Sequence, residues 1–128
     1  MILIKYKSLS GFGKNKKENK GSSKKLQKLS ENALKAKSIN HHIKGNLVEA
    51  EKGYLTFLKN GYSDADIISN YALICEGKGE NDKAIKLYEK CSKNFPNHVY
   101  SKLNLSFLYY KLNNLEKAHK IIEEAIEL

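Results

Sequence analysis

The chain has 128 residues, of which 41% are hydrophobic, so it can form one domain with a modest apolar core. Its formal net charge is +9, and every one of its 23 positive charges is a lysine. Nine of these lysines lie in residues 1–30, where Glu18 is the single acidic residue, so the rest of the chain is close to neutral. This distribution, together with the absence of arginine, argues against a phosphate-reading surface on the folded part of the chain.

The two cysteines, Cys75 and Cys91, lie among apolar residues and are predicted to be free, buried thiols. The apolar start of the chain is interrupted at Lys5, well short of the ~7 to 15 apolar residues of a signal-peptide core. No later run reaches the ~18 apolar residues of a membrane span. We therefore expect a soluble, cytoplasmic protein.

The first segment in chain order is a basic leader, residues 1–24. Its central part is rich in Gly, Ser, Asn and Lys and offers almost nothing to bury, so we expect it to be disordered. Apolar residues recur at helical spacing from about residue 25, which predicts a first helix and a folded domain over residues 25–128. The residues that carry this spacing are Leu26, Leu29, Ala33, Ala36 and Ile39.

A repeat of 34 residues organises this domain. Gly45 and Gly79 are one repeat apart, Asn113 continues the series, and each of the three is followed five residues later by an alanine. Glycine and asparagine both tolerate the left-handed conformation that ends a helix, so each break separates two antiparallel helices. Ser63 with Asp66 resembles a capping box at the start of the third helix. The predicted helices lie near 25–43, 47–60, 64–77, 81–94, 98–111 and 115–127.

This unit resembles the tetratricopeptide repeat family, whose helix–turn–helix repeats carry small residues, an aromatic residue and a closing proline at set positions. The match covers residues 31–128. It implies an all-α fold, an α-α superhelix of about three repeats over residues 31–64, 65–98 and 99–128. The residues that match the structural positions of the family are Ser38, Gly45, Ala50, Tyr54, Ala72, Gly79, Ala84, Tyr88, Pro96, Ser106 and Ala118.

The resemblance implies a scaffold or adaptor that binds a protein or peptide partner in a concave groove lined by the first helix of each repeat. The third repeat presents an aromatic and aliphatic stripe of the kind that dominates interfaces, although part of it could equally pack on a neighbouring helix. Asn70 and Asn104 are one repeat apart, and their amides can pair with a peptide backbone or serve the helix itself. The predicted groove residues are Lys35, Ile39, Asn70, Leu73, Tyr100, Leu103, Asn104, Phe107 and Tyr110.

No arrangement of residues points to catalysis or to a metal site. His41 and His42 are adjacent and so point about 100° apart on a helix, while His98 and His119 stand alone in the sequence. Neither cysteine belongs to a Cys-x2-Cys motif. We therefore expect no enzymatic activity, no metal and no cofactor.

A basic leader ahead of such repeats is also similar to bacterial proteins in which a transferase domain follows the repeats. An alternative interpretation is therefore that the chain is the non-catalytic front part of such a transferase.

Two further interactions are open at this stage. The lysines of the leader are suited to weak, nonspecific contact with nucleic acid or an anionic membrane surface. The last predicted helix is followed by no polar capping helix in this sequence, so its apolar residues are expected to self-associate or to dock onto a partner. These apolar residues are Ile121, Ile122, Ala125, Ile126 and Leu128.

Overall fold

The computed structural model describes residues 22–127, and every regular element in that range is an α-helix. Each odd-numbered helix packs closely on the helix that follows it after a three-residue turn, which gives antiparallel pairs. The predicted all-α fold with two helices per repeat is confirmed. The helices are α1 (Ser22–Ile43), α2 (Leu47–Lys59), α3 (Ala65–Gly77), α4 (Asn81–Asn94), α5 (Val99–Lys111) and α6 (Leu115–Ile126).

The turn within each pair uses the left-handed backbone conformation that the sequence predicted. Gly45 and Gly79 have φ angles of 79° and 78°, and Asn113 has a φ angle of 58°. Most side chains are strained in this region, whereas glycine and asparagine tolerate it. The 34-residue spacing of these three residues therefore fixes where each first helix stops.

The start of α3 differs from the prediction in its capping residue. Asp64, and not Ser63, is the N-cap, and its carboxylate accepts a hydrogen bond from the backbone N–H of Ile67 at 3.1 Å. A carboxylate at this position also interacts favourably with the positive end of the helix dipole. Asp66, which was expected to complete a capping box, instead contacts His98. The capping box is therefore wrong, although the helix begins within one residue of the predicted position.

The start of α1 also differs from the prediction. The helix begins at Ser22 and so includes the last three residues of the predicted leader. Leu26 and Leu29, in the turns that follow, are 64% and 58% exposed, so the first part of α1 is not packed into the core. The predicted disorder of residues 1–21 lies outside the described residues.

Residues 22–62 form one compact unit, made of α1 and α2. The two helices approach closely where Gly53 of α2 faces Ser38 of α1. Tyr54 is fully buried beside this contact, and its hydroxyl lies 2.9 Å from His42 Nδ1. Burial lowers the pKa of His42, which favours the neutral imidazole in this hydrogen bond.

Residues 63–127 form a second compact unit, in which α5 packs against both α3 and α4. Small residues let paired helices approach closely, as the repeat pattern predicted. Ser106 of α5 illustrates this, because its hydroxyl donates to the backbone carbonyl of Ala118 in α6 at 2.8 Å. The core of this unit includes Ile67, Ile68, Ala72, Cys75, Ala84, Tyr88, Cys91, Leu105 and Leu108.

Candidate functional site

A groove between α3 and α5 brings together several of the residues predicted for the binding face. It has a volume of about 260 Å³, and Leu73, Asn104 and Phe107 line it. Asn104 and Phe107 are three residues apart and so lie on one face of α5. Glu76 and Gly77 of α3 and Lys111 of α5 complete the lining.

One wall of this groove holds a neutralised pair of charges. The Glu76 carboxylate accepts a hydrogen bond from Lys111 Nζ at 2.5 Å and another from the Tyr88 hydroxyl at 3.2 Å. The Glu76 side chain is 8% exposed, whereas that of Lys111 is 46% exposed. Burial and the neighbouring Glu76 carboxylate raise the pKa of Tyr88, so its hydroxyl remains a donor. Lys111 therefore reaches the groove with its positive charge already compensated.

The two asparagines predicted to face a peptide lie in different environments. Asn104 is half-buried and lines the groove. Asn70 is 5% exposed, and its Nδ2 has no hydrogen-bond partner among the described residues. An unpaired buried donor costs about 1 to 3 kcal/mol. The amide that a ligand can reach is therefore that of Asn104, whereas the Nδ2 donor of Asn70 is buried.

The aromatic stripe of the third repeat is divided between two surfaces. Phe107 and Tyr110 are 58% and 62% exposed, so neither ring packs in the core. Together with Leu103 they line a second cavity, of about 390 Å³, between α5 and α6. Tyr100 instead places its ring near His98, with the ring centroids 6.0 Å apart. The other residues of this second cavity are Ser106, Leu115, Ala118, His119 and Ile122.

Two of the predicted groove residues belong to the unit of residues 22–62. Ile39 is 1% exposed, because it lies on the buried side of α1 with Ser38 and His42. Lys35, one turn earlier, is half-buried. Neither residue lines the two cavities described above.

His98, for which the sequence offered no partner, lies between a carboxylate and a thiol. Its Nε2 is 3.1 Å from Asp66 Oδ1, and its Nδ1 is 3.8 Å from Cys91 Sγ. His98 is also the N-cap of α5, where Nδ1 accepts the backbone N–H of Ser101 at 3.3 Å. A thiol, an imidazole and a carboxylate can form a nucleophilic site. Cys91 is 0% exposed, however, so a substrate cannot reach it, and the cluster instead links the starts of α3 and α5 to α4.

The charge state of His98 follows from these contacts. The hydrogen bond to Asp66, followed by the contact with Cys91, raises the pKa of His98 to about 9. The imidazolium is therefore favoured at neutral pH, with one proton directed at Asp66. Its second proton lies on Nδ1, so only the neutral ring can accept the backbone N–H of Ser101. Sequence reasoning missed this cluster because its members lie on three helices, and nothing in the local pattern relates Asp66 to a histidine 32 residues later.

Within residues 22–127, no group of three or more His, Cys, Asp or Glu side chains could hold a metal ion. No helix in the described part of the chain is long and apolar enough to cross a membrane.

Residues 77–128 match a sequence model of the tetratricopeptide repeat family. This range begins at the last residue of α3 and includes α4, α5 and α6. No curated protein sequence matches the chain.

Three solved structures with the same fold are similar to this chain. The crystal structure of PcrH in complex with the chaperone binding region of PopB has a TM-score of 0.68 at 17% identity, over 75% of this chain and 77% of that chain. The Sgt2 TPR domain from Aspergillus fumigatus has a TM-score of 0.68 at 18% identity, over 77% and 65% of the two chains. The type III secretion translocator chaperone SycD of Yersinia enterocolitica, in an alternative dimer, has a TM-score of 0.70 at 16% identity, over 77% and 74%. At these identities the likeness concerns the fold alone.

Proposed function

Because this chain is a tetratricopeptide-repeat protein, we propose that it binds a segment of a protein partner in the groove between α3 and α5. The observation that carries this proposal is the composition of the groove. Leu73 and Phe107 provide apolar walls, and the Asn104 amide lies between the helices as a group that can both donate and accept hydrogen bonds. Apolar walls with a few polar groups are typical of binding sites in proteins.

The charges of the groove indicate which kind of segment it accepts. Lys111 is the basic residue of the lining, and its ammonium group is already paired with Glu76. A terminal carboxylate would have to compete with this pair, so the groove does not favour acidic tails. We therefore infer that the ligand is a neutral segment with an apolar or aromatic side chain as its anchor and with its backbone facing Asn104.

The comparison with PcrH supports the proposal at the level of the fold. That protein was solved with a region of PopB bound to it. Its structure is similar to this one over 75% of the present chain. A framework of this size and helix arrangement is therefore compatible with binding a segment of another protein.

A peptide selection tests the proposal directly. Random peptides displayed on phage would be selected on the full chain, and their dissociation constants would be measured by fluorescence polarisation. We expect selected peptides with an apolar or aromatic anchor. Asn104→Ala should weaken them by about five- to tenfold, because one hydrogen bond contributes about 1 kcal/mol, and Leu73→Ala should weaken them by about tenfold or more.

Leu115→Ala is the matched control, because Leu115 lines the cavity between α5 and α6 and not the groove. The control should leave the affinity within about twofold of wild type. Peptides that tolerate Leu73→Ala and Asn104→Ala but are lost in the control would place binding at the other cavity and contradict the proposal.

A further inference from the structure

The second helix of each repeat carries an informative residue at one fixed position, and the third repeat differs from the first two there. Tyr54 of α2 and Tyr88 of α4 are one repeat apart, and both are 0% exposed. Ile122 of α6 comes one repeat after Tyr88 and is 37% exposed. The third repeat therefore has a smaller, aliphatic side chain where the first two have a buried aromatic ring.

Both tyrosines direct their hydroxyl groups at the same position of the first helix. The Tyr54 hydroxyl lies 2.9 Å from His42 Nδ1, and the Tyr88 hydroxyl donates to Glu76 Oε2 at 3.2 Å. In each pair the partner precedes the tyrosine by 12 residues, and the residue at that position of the third repeat is Tyr110. A phenol ring therefore connects the two helices in the first two repeats and has no counterpart in the third.

The cavity between α5 and α6 lies at the corresponding place of the third repeat. Ile122 and Tyr110, the counterparts of the tyrosine and of its hydrogen-bond partner, both line it. Ser106 and Ala118 line it as well, and the hydrogen bond between them holds the two helices close together at this side of the cavity. The space between Ile122 and Tyr110 is therefore the counterpart of the space that a tyrosine ring fills in the first two repeats.

The size and the walls of this cavity suit one aromatic ring. Its volume is about 390 Å³, and a cavity of about 150 Å³ with apolar walls is already large enough to bind benzene. The rings of Phe107 and Tyr110 can contact a bound ring edge to face, an arrangement that aromatic groups prefer. The aliphatic side chains of the lining are Leu103, Leu115 and Ile122.

The polar groups of the cavity favour a small molecule over a peptide. A peptide backbone needs several groups that pair with it, but Ser106 Oγ already donates to the carbonyl of Ala118. His119 is similarly engaged, because its Nε2 lies 3.2 Å from Glu123 Oε1. Mainly apolar walls with few polar groups are typical of small-molecule sites.

We propose that the cavity between α5 and α6 binds a small phenol, that is, a free molecule with one aromatic ring that carries a hydroxyl group. The ring lies beside Ile122, in the place that corresponds to the Tyr88 ring of the second repeat, and its hydroxyl forms a hydrogen bond with the hydroxyl of Tyr110. This site is distinct from the groove between α3 and α5, although Phe107 lines both.

The first test is the binding of p-cresol, the side chain of tyrosine as a free molecule, to the full chain. Methyl NMR spectra of the leucine and isoleucine residues would be recorded during a titration. Ile122 and Leu115 should shift most, with a dissociation constant on the order of 1 mM. The non-aromatic analogue 4-methylcyclohexanol should bind about three- to tenfold more weakly, because it lacks the ring. Equal binding of the two, or shifts that do not saturate, overturns the proposal.

The second test fills the cavity from within the protein. Ile122→Tyr restores the tyrosine of the first two repeats, so it should weaken p-cresol binding by about tenfold or more and raise the melting temperature. Ile122→Phe fills the same space without a hydroxyl group and should weaken binding equally, so the test does not depend on one variant. Leu112→Tyr is the matched control, because Leu112 is 43% exposed and does not line the cavity. It should leave the dissociation constant within about twofold of wild type. Unchanged binding in a folded Ile122 variant, as judged by circular dichroism, overturns the proposal.

The third test concerns the hydroxyl group of the ligand. Tyr110→Phe should weaken p-cresol binding by about fivefold, which corresponds to the loss of one hydrogen bond. The same variant should leave the binding of toluene, which has no hydroxyl group, within about twofold of wild type. If Tyr110→Phe changes the affinity for both ligands equally, the hydrogen bond is not formed and the assignment to a phenol is wrong.

Two comparisons separate this site from the groove and a small molecule from a side chain. Leu73→Ala should leave p-cresol binding within about twofold of wild type, because Leu73 lines the groove and not this cavity. A glycine–tyrosine–glycine peptide with blocked ends should bind about tenfold more weakly than p-cresol, because its backbone must be ordered without partners. Loss of binding in Leu73→Ala, or equal binding of the peptide, overturns the proposal. A failure to bind p-cresol leaves peptide binding between α3 and α5 untouched.

Discussion

Replacement of Gly53 by alanine should destabilise the unit of residues 22–62. A methyl group on Gly53 would lie 2.0 Å from Ser38 Oγ and 2.8 Å from Ser38 Cβ, against about 3.4 to 4 Å for ordinary contact. Because Ser38 Cβ is fixed to the backbone of α1, the two helices must separate. Overpacking of this kind costs about 1 to 3 kcal/mol, and the higher helix propensity of alanine returns about 0.5 to 1 kcal/mol. The net loss should be about 1 to 2 kcal/mol.

Urea unfolding followed by circular dichroism measures this loss, and a double-mutant cycle assigns it. Ser38→Gly removes both of the close atoms, so Ser38→Gly/Gly53→Ala should be more stable than the sum of the single changes by about 1 kcal/mol or more. Gly77→Ala is the control, because a methyl group there would have no neighbour within 4 Å, and it should stabilise the protein by up to about 1 kcal/mol. If Gly53→Ala is as stable as wild type, or if Ser38→Gly gives no relief, the close approach of α1 and α2 does not limit this position.

The remaining predictions concern a helix cap, a titrating group and a turn. Asp64→Ala should lower the free energy of unfolding by about 1 kcal/mol through loss of the cap on Ile67, measured by urea titration, whereas Asp64→Asn should keep most of it. The raised pKa of His98, about 9, means that its contribution to stability is complete below about pH 6.5 and is lost as the pH rises through about 9. Unfolding experiments from about pH 6 to 10 should show a loss of about 1 to 2 kcal/mol after allowance for solvent screening, and Asp66→Asn should flatten the profile; a profile unchanged by Asp66→Asn would contradict the assignment. Asn113→Ala should cost about 1 kcal/mol because of its φ of 58°, while Asn113→Gly should stay within about 0.5 kcal/mol of wild type in the same urea titration.

The sequence by itself determined the helices and their order. Gly45, Gly79 and Asn113 end their helices through a property of the local backbone, and the 3.6-residue periodicity of apolar residues marks each helix between such breaks. Because these signals are local, the predicted boundaries agree with the structure to within three residues, the largest difference being the start of α1 at Ser22.

The tertiary structure alone decided which side chains meet. The stripe on α5 has a uniform spacing in the sequence, yet Leu103 and Tyr110 face α6 while Asn104 faces α3, because α5 packs between two neighbours. His98 and Asp66 are 32 residues apart and meet because α5 packs on both α3 and α4. Position 53 must be a glycine because α2 passes so close to Ser38 of α1 that a larger side chain would collide with it. Such contacts depend on how the helices pack against one another. This packing is set by the sum of many small interactions, so no local sequence pattern predicts it.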